Sequence, residues 1–174
     1  MSDPRYPIGK FSRKETITDD ERVALIQQIA DAPANLRAAV KGLTDKQLDI
    51  PYREGGWTIR QITHHIPDSH LNAYIRFKLG MTEDHPTIKP YEQQLWAELV
   101  DGKTAPLEPS LVLLESVHTR WVMFLKSMKP SDFSRTLNHP EDGTMKLDAV
   151  LQLYAWHGRH HTAQITSFRE RIGW

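Results

Sequence analysis

Four stretches of this 174-residue chain set apolar residues three and four positions apart, and no stretch of comparable length alternates apolar with polar side chains. That period points to an all-α fold. From Thr18 to Leu43 the stripe is Val23, Ile26, Ile29 and Ala30, resuming past Pro33 with Leu36, Ala39, Val40 and Leu43; Asp19, Asp20 and Glu21 lie where a helix N-terminus favours negative charge. The second stretch runs from Thr58 to about Leu79. The third runs from about Ser110 to Met128 through Leu111, Leu114, Val117, Trp121 and Leu125, and the fourth from about Met145 to Ile172, closed by Gly173. Long helices with a long crossover between the second and third predict a four-helix bundle.

Local signals mark the joints. Residues 1–17, with Pro4, Pro7 and Gly9 and no period, read as an extended arm over the surface of one domain spanning 1–174. Thr44 with Gln47 and Thr58 with Gln61 have the spacing of capping boxes, and Trp57 can staple onto Ile62. Pro51 ends the first of these turns, and Gly55 and Gly56 bend the chain before the second. Pro67 lacks an amide hydrogen and is expected to kink its helix. The crossing from Gly80 to Pro109 is broken by Pro86, Pro90, Pro106 and Pro109 around a short helical pattern from Tyr91 to Leu99; a connection this long wraps a bundle end or covers a site. Ser131 to Thr144 reads as a loop.

Composition narrows the function. The 22 Lys and Arg balance 22 Asp and Glu, so neither nucleic acid nor a membrane surface is an expected partner. The chain has no cysteine, which excludes disulfides, thiolate metal ligation and Cys nucleophiles. No apolar run approaches the roughly 18 residues that span a bilayer, and Met1 to Lys10 does not look like a secretion signal, so a cytoplasmic location is expected. Nine histidines direct attention to imidazole chemistry.

On the last helix, Leu147, Val150, Leu151, Tyr154, Ile165, Phe168 and Ile172 form one stripe, and His157 and His161 fall inside it. Buried imidazoles one turn apart need partners, because an unpaired buried polar group costs on the order of 1 to 3 kcal/mol. One shared metal ion satisfies both; hydrogen bonds to Tyr154, Gln164 or carbonyls are the alternative. His160 points away from the stripe and is expected in solvent. A third ligand would come from His64, His65 or His70 on the second helix. Its stripe of Ile59, Ile62, Ile66, Ala73 and Phe77 leaves His65 on the flank, His64 behind and His70 nearer the centre, so periodicity favours His65 only slightly over His70. His85, His118 and His139 are read as surface or capping residues.

The tract Pro51-Tyr-Arg-Glu-Gly-Gly-Trp-Thr58, then His64-His65, Asp68-Ser-His70, Tyr74-Ile-Arg-Phe-Lys78, and Trp156-His157 with His160-His161, resembles the DinB/YfiT-like superfamily of metal-dependent hydrolases; Tyr6-Pro-Ile-Gly9 and Gly173-Trp174 fit its YfiT-like branch. The resemblance implies a four-helix bundle with a crossover, a homodimer, and a divalent metal, zinc or nickel, held by His65, His157 and His161. Pro67 departs from the helix former that relatives tend to carry there.

Three neutral imidazoles leave the ion an open position, which suits catalysis: water activated against a small-molecule substrate. No Glu stands between the paired histidines as a general base, so proton handling would fall to the ion, a loop residue or Tyr154. A second reading follows from a branch of the same family: transfer of a low-molecular-weight thiol such as bacillithiol onto an electrophile. A third is a metal-binding or stress-response protein without turnover. Asp68 is a candidate partner for the free ring nitrogen of His65, and Asn72 with Arg76 for an anionic substrate.

Overall fold

Side chains set the helix starts. Thr18 with Glu21, Thr44 with Gln47 and Thr58 with Gln61 each close a reciprocal capping box, satisfying backbone amides that have no partner inside the helix. The computed structural model describes residues 3–174; Met1 and Ser2, where the expected arm begins, lie outside them. In chain order the elements are α1 (Asp19–Val40), α2 (Asp45–Leu48), α3 (Ile59–Thr82), α4 (Gln93–Ala97), α5 (Val100–Thr104), α6 (Leu107–Ser127), a 3-10 turn (Pro130–Ser134), β1 (Thr136–His139), β2 (Gly143–Lys146) and α7 (Leu147–Ile172). Gly173 ends α7 in the left-handed conformation.

The four long helices form the bundle, with α1 packed on α6 and α7, and α3 packed on the same two. The first and second long helices therefore occupy opposite corners. The crossing from α3 to α6 carries α4, shorter than the expected Tyr91 to Leu99 segment, and also α5, which the apolar pattern does not announce. Both lie against α3. Gln61 Nε2 donates to the Ala97 carbonyl at 2.8 Å, and Arg60 donates to the Ala105 carbonyl at 2.9 Å.

Pro67 lies within α3, which stays helical to Thr82; it and the preceding turn, residues 63–66, are buried, so packing supports the helix where one hydrogen bond is lost. Two expectations are corrected. Val23 leaves the core stripe and is 66% exposed, because Arg22 takes the inward position, paired with Asp19 and Asp148 and lying over the Phe133 ring. The stretch expected as a loop contains the antiparallel hairpin of β1 and β2, with Thr136 opposite Lys146 and His139 opposite Gly143. Asn138 in β1 also exchanges backbone hydrogen bonds with Pro86 and Ile88, which ties the crossing to the hairpin.

The interior divides along the bundle axis. One apolar cluster contains Ile29, Phe77, Trp121, Leu125, Leu147 and Leu151, and the other Leu36, Ile59, Ile62, Leu114, Ile165 and Phe168. The sequence positions between them on α3, α6 and α7 hold His70, His118, His157 and His161. No helix among the described residues is long and apolar enough to cross a membrane.

Candidate metal centre

His65 of α3 meets His157 and His161 of α7 in the layer between the apolar clusters. One ring nitrogen from each lies within 4.8 Å of the others, and the Nε2 atoms of His65 and His157 are 3.2 Å apart. Two ligands of a tetrahedral zinc-sized ion stand roughly 3.3 Å from one another, so that spacing fits a shared cation. Burial holds His65 down at about 4 and, with the neighbouring imidazoles, keeps His157 and His161 well below the ordinary histidine range. All three rings are therefore neutral at pH 7, the form that binds metal.

The Nδ1 atoms of His161 and His157 have partners on α7 and α3. His161 Nδ1 lies 2.9 Å from Gln164 Oε1. The Gln164 amide nitrogen faces the Arg5 carbonyl at 3.0 Å, which fixes the amide orientation, so the ring donates to the oxygen and its Nε2 is left free. His157 Nδ1 lies 3.1 Å from His70 Nε2, and His70 Nδ1 lies 2.8 Å from His118 Nε2. Gly158 makes this approach possible: a Cβ there would stand 3.3 Å from both His70 Cε1 and the Ala32 Cβ.

Of the three candidates on α3, His65 joins the cluster, His70 stands behind His157, and His64 turns away. His64 lies 2.7 Å from the Ser110 hydroxyl and 3.1 Å from the Ala105 carbonyl, pinning the crossing to α3. His118 is not a surface residue; it is 1% exposed, because it falls within the buried α6 stripe between Leu114 and Trp121. His160 is not solvated either. The N-terminal arm covers that side of α7, with Tyr6 6.0 Å from the His160 ring, and Trp156 stacks on it at 4.2 Å. His139 accepts from the amides of Glu141 and Asp142, a turn-capping role, and exposed His85 contacts Thr136 Oγ1 at 2.7 Å.

The polar residues expected around the site, Asp68, Asn72 and Arg76, make their contacts away from the three rings. No hydrogen bond joins Asp68 to His65; burial and the charge of Asp101 raise the Asp68 carboxyl to about 6. The two residues are three apart on α3, but His65 turns toward Trp57, 4.7 Å between rings, and toward α7. Asn72 donates to the Asp68 carbonyl within its own helix, and Arg76 donates to the Tyr154 hydroxyl at 3.2 Å, so the two do not converge as a pair. The Tyr154 ring lies 5.7 Å from that of His157. Tyr91, which burial raises to about 12, joins this polar group from the crossing, near Ser69 and Asp68.

A cavity of about 430 Å³ opens over His157 and His161, walled in part by Trp57, Gln93, Arg5 and Arg53. Its size suits a small ligand. The sequence offers Gln164 as a partner for the paired histidines, and it contacts His161; what the sequence reading missed is the burial of His118 beside His70. For His118 the signal was present, because the step from Leu111 to His118 to Leu125 is seven residues each way.

The DinB superfamily pattern matches residues 28–165. A relative from Bacillus mycoides (strain KBAB4), named "putative metal-dependent hydrolase", is 58% identical over 174 residues, all of both chains, and one of the same name from Bacillus cereus (strain 03BB102) is 57% identical over the same span. The solved structure of YfiT from Bacillus subtilis, described as "a probable metal-dependent hydrolase with an unusual four-helix bundle topology", superposes with a TM-score of 0.96 at 45% identity over 98% of each chain. TT2238, a four-helix bundle protein, shares the fold with a TM-score of 0.58 at 18% identity, over 81% of this chain and 94% of its own. On the family match, the full-length relatives and the bundle they share, this chain belongs to the DinB/YfiT-like superfamily.

Proposed function

We propose that the protein is a metal-dependent hydrolase in which His65, His157 and His161 hold one divalent ion, zinc or nickel, at the floor of a cavity for a small-molecule substrate. The observation that carries this reading is the convergence of three neutral ring nitrogens within 4.8 Å beside an open cavity. When bound on three neutral ligands, a divalent ion retains an open position and supplies Lewis-acid activation of water or a carbonyl. The chain's own part is to hold the rings neutral by burial and to aim them from two helices. The outer contacts carry no charge, Gln164 for His161 and His70 for His157, so they do not offset a divalent charge. An anionic group on the substrate suits such a site, and Arg5 and Arg53 at the cavity wall suit it too.

Thiol S-transfer is the second reading, and the makeup of the cluster favours it: the ligand group contains histidines and no carboxylate that could act as general base. A thiol starts from a pKa near 8.5 and needs less assistance than water to become a nucleophile. The test is metal content by elemental analysis, followed by ester and amide panels and, separately, small thiols with a chlorinated aromatic acceptor. About one divalent ion per chain with hydrolysis that disappears in His161→Ala is expected for a three-ligand site. Thiol conjugation without hydrolysis would establish the transferase reading instead, and a metal-free, inactive protein would remove both.

A further inference from the structure

Pro33 lies inside α1 without an amide hydrogen, so the carbonyl of Ile29, four residues earlier, loses its helical donor. That carbonyl faces His118 Nδ1 at 2.6 Å. A carbonyl only accepts, so His118 carries a proton on Nδ1. Beyond it, His118 Nε2 lies 2.8 Å from His70 Nδ1, and His70 Nε2 lies 3.1 Å from His157 Nδ1.

Each ring-to-ring contact holds one proton, because two donors or two bare lone pairs at that distance repel. If all three rings are neutral, the proton on His118 Nδ1 leaves its Nε2 as an acceptor. His70 then donates from Nδ1 and accepts at Nε2, and His157 donates from Nδ1. Three rings share three protons, and His157 Nε2 is left bare, facing His65 Nε2. Reversing the sense would require both protons on His118, a cation on a ring that is 1% exposed and has no ion-pair partner among the described residues.

We propose that His118 and His70 are positioning residues for the metal centre: a relay anchored on the carbonyl that Pro33 frees locks His157 as the Nδ1–H tautomer and aims its Nε2 lone pair at the ion shared with His65 and His161. The usual outer partner of a ligand histidine is a carboxylate, a backbone carbonyl or water. Here two neutral rings carry the same instruction from the carbonyl of a helix that supplies none of the ligands. The inference rests on the metal reading above, but the tautomers can be read without metal.

The first measurement is ¹⁵N-histidine NMR of the metal-free full chain at neutral pH. Nδ1–H tautomers are expected at His118, His70 and His157; an Nε2–H tautomer at His157 or a doubly protonated His118 overturns the relay. The second is zinc titration of the parent, His118→Leu and His118→Gln. Leucine removes the acceptor of the His70 proton, whereas the glutamine amide oxygen can take the place of the lost Nε2. Expected is a loss of zinc affinity of about ten- to a hundredfold in His118→Leu, the range for lost outer partners, with His157 becoming a mixture of tautomers, and recovery to within about threefold in His118→Gln. Parental affinity with an unchanged His157 tautomer in His118→Leu overturns the proposal. A parent that binds no zinc defeats the metal reading and leaves the tautomer result to decide the relay, and that assignment needs no variant, so a misfolded His118→Leu does not remove the test.

Discussion

At one end of the bundle Phe77, Trp121, Leu125 and Leu147 pack together, and at the other Leu36, Ile62, Leu114 and Ile165; between them lie His65, His70, His118, His157 and His161. The ends are specified by volume, and apolar side chains of similar size can trade places there at modest cost. The middle layer is specified by direction. Along the row from His118 through His70 to His157 each contact joins a donor to an acceptor, and a wrong hydrogen-bond sense anywhere along the row changes the state of the next ring. The apolar ends would thus keep the fold while the layer sets the chemistry, and the two can be separated by experiment.

The largest separation is expected from the ligands themselves. His65→Ala, His157→Ala and His161→Ala should each take bound metal from about one ion per chain to near none by elemental analysis, because three ligands leave little redundancy. Helical content by circular dichroism should stay at the parental level. A helical collapse in these variants would mean that the layer, not the ends, holds the bundle together. The reciprocal change is Leu125→Ala, at a side chain 1% exposed. Chemical denaturation should show a loss of about 2 to 5 kcal/mol, the range for a large-to-small core substitution, with metal stoichiometry unchanged.

The same contrast explains what could be read in the sequence. The stripe of α6 identifies the ends because burial there follows one helix face, and on α7 the four-residue spacing of His157 and His161 places both on one side of the helix, although the arm and the hairpin bury further residues around it. The third ligand escapes this logic. Helix α3 packs against α6 and α7 and is covered by α4 and α5, so His64, His65 and His70 are all buried and burial does not distinguish them. Periodicity leans only slightly toward His65 over His70, and the family resemblance is what selects it. His160 is hidden by the arm, a long-range contact that a helical wheel does not contain, and strands of four residues are too short to display alternation. His118 was legible as a buried position through its seven-residue step; its partner was not, since that depends on an amide missing from a neighbouring helix.

Acid should strike the metal-free layer before the ends. Burial depresses His65, His118 and His160 to about 4, and His70, His157 and His161 well below the ordinary range. The unfolded chain, with histidines near 6.5, then binds more protons than the folded one, so stability is fully present above about pH 6.5 and falls as pH drops toward 4. The slope is about 1.4 kcal/mol per pH unit for each proton taken up on unfolding. Denaturation of metal-free protein between pH 7 and pH 5 measures it. A flat profile would mean that the rings are already charged or hydrated in the folded state.

The smallest expected effect tests whether the ends can be loosened without disturbing the layer. Thr58 accepts from the Gln61 amide at 3.1 Å while Gln61 Oε1 accepts from the Thr58 amide at 3.0 Å, a closed pair at the start of the helix that carries His65. Thr58→Ala opens half of it. The cost should be about 1 kcal/mol in denaturation, since one amide loses its partner and the first turn frays. His65 lies about two turns further along, clamped between Trp57 and the α7 rings, and fraying is confined to the terminal turn. Zinc affinity should therefore stay within about twofold of the parent, well below the tenfold that 1.4 kcal/mol would produce. If affinity falls in step with stability, the cap and the ligand belong to one cooperative unit and the division between apolar ends and histidine layer fails at α3.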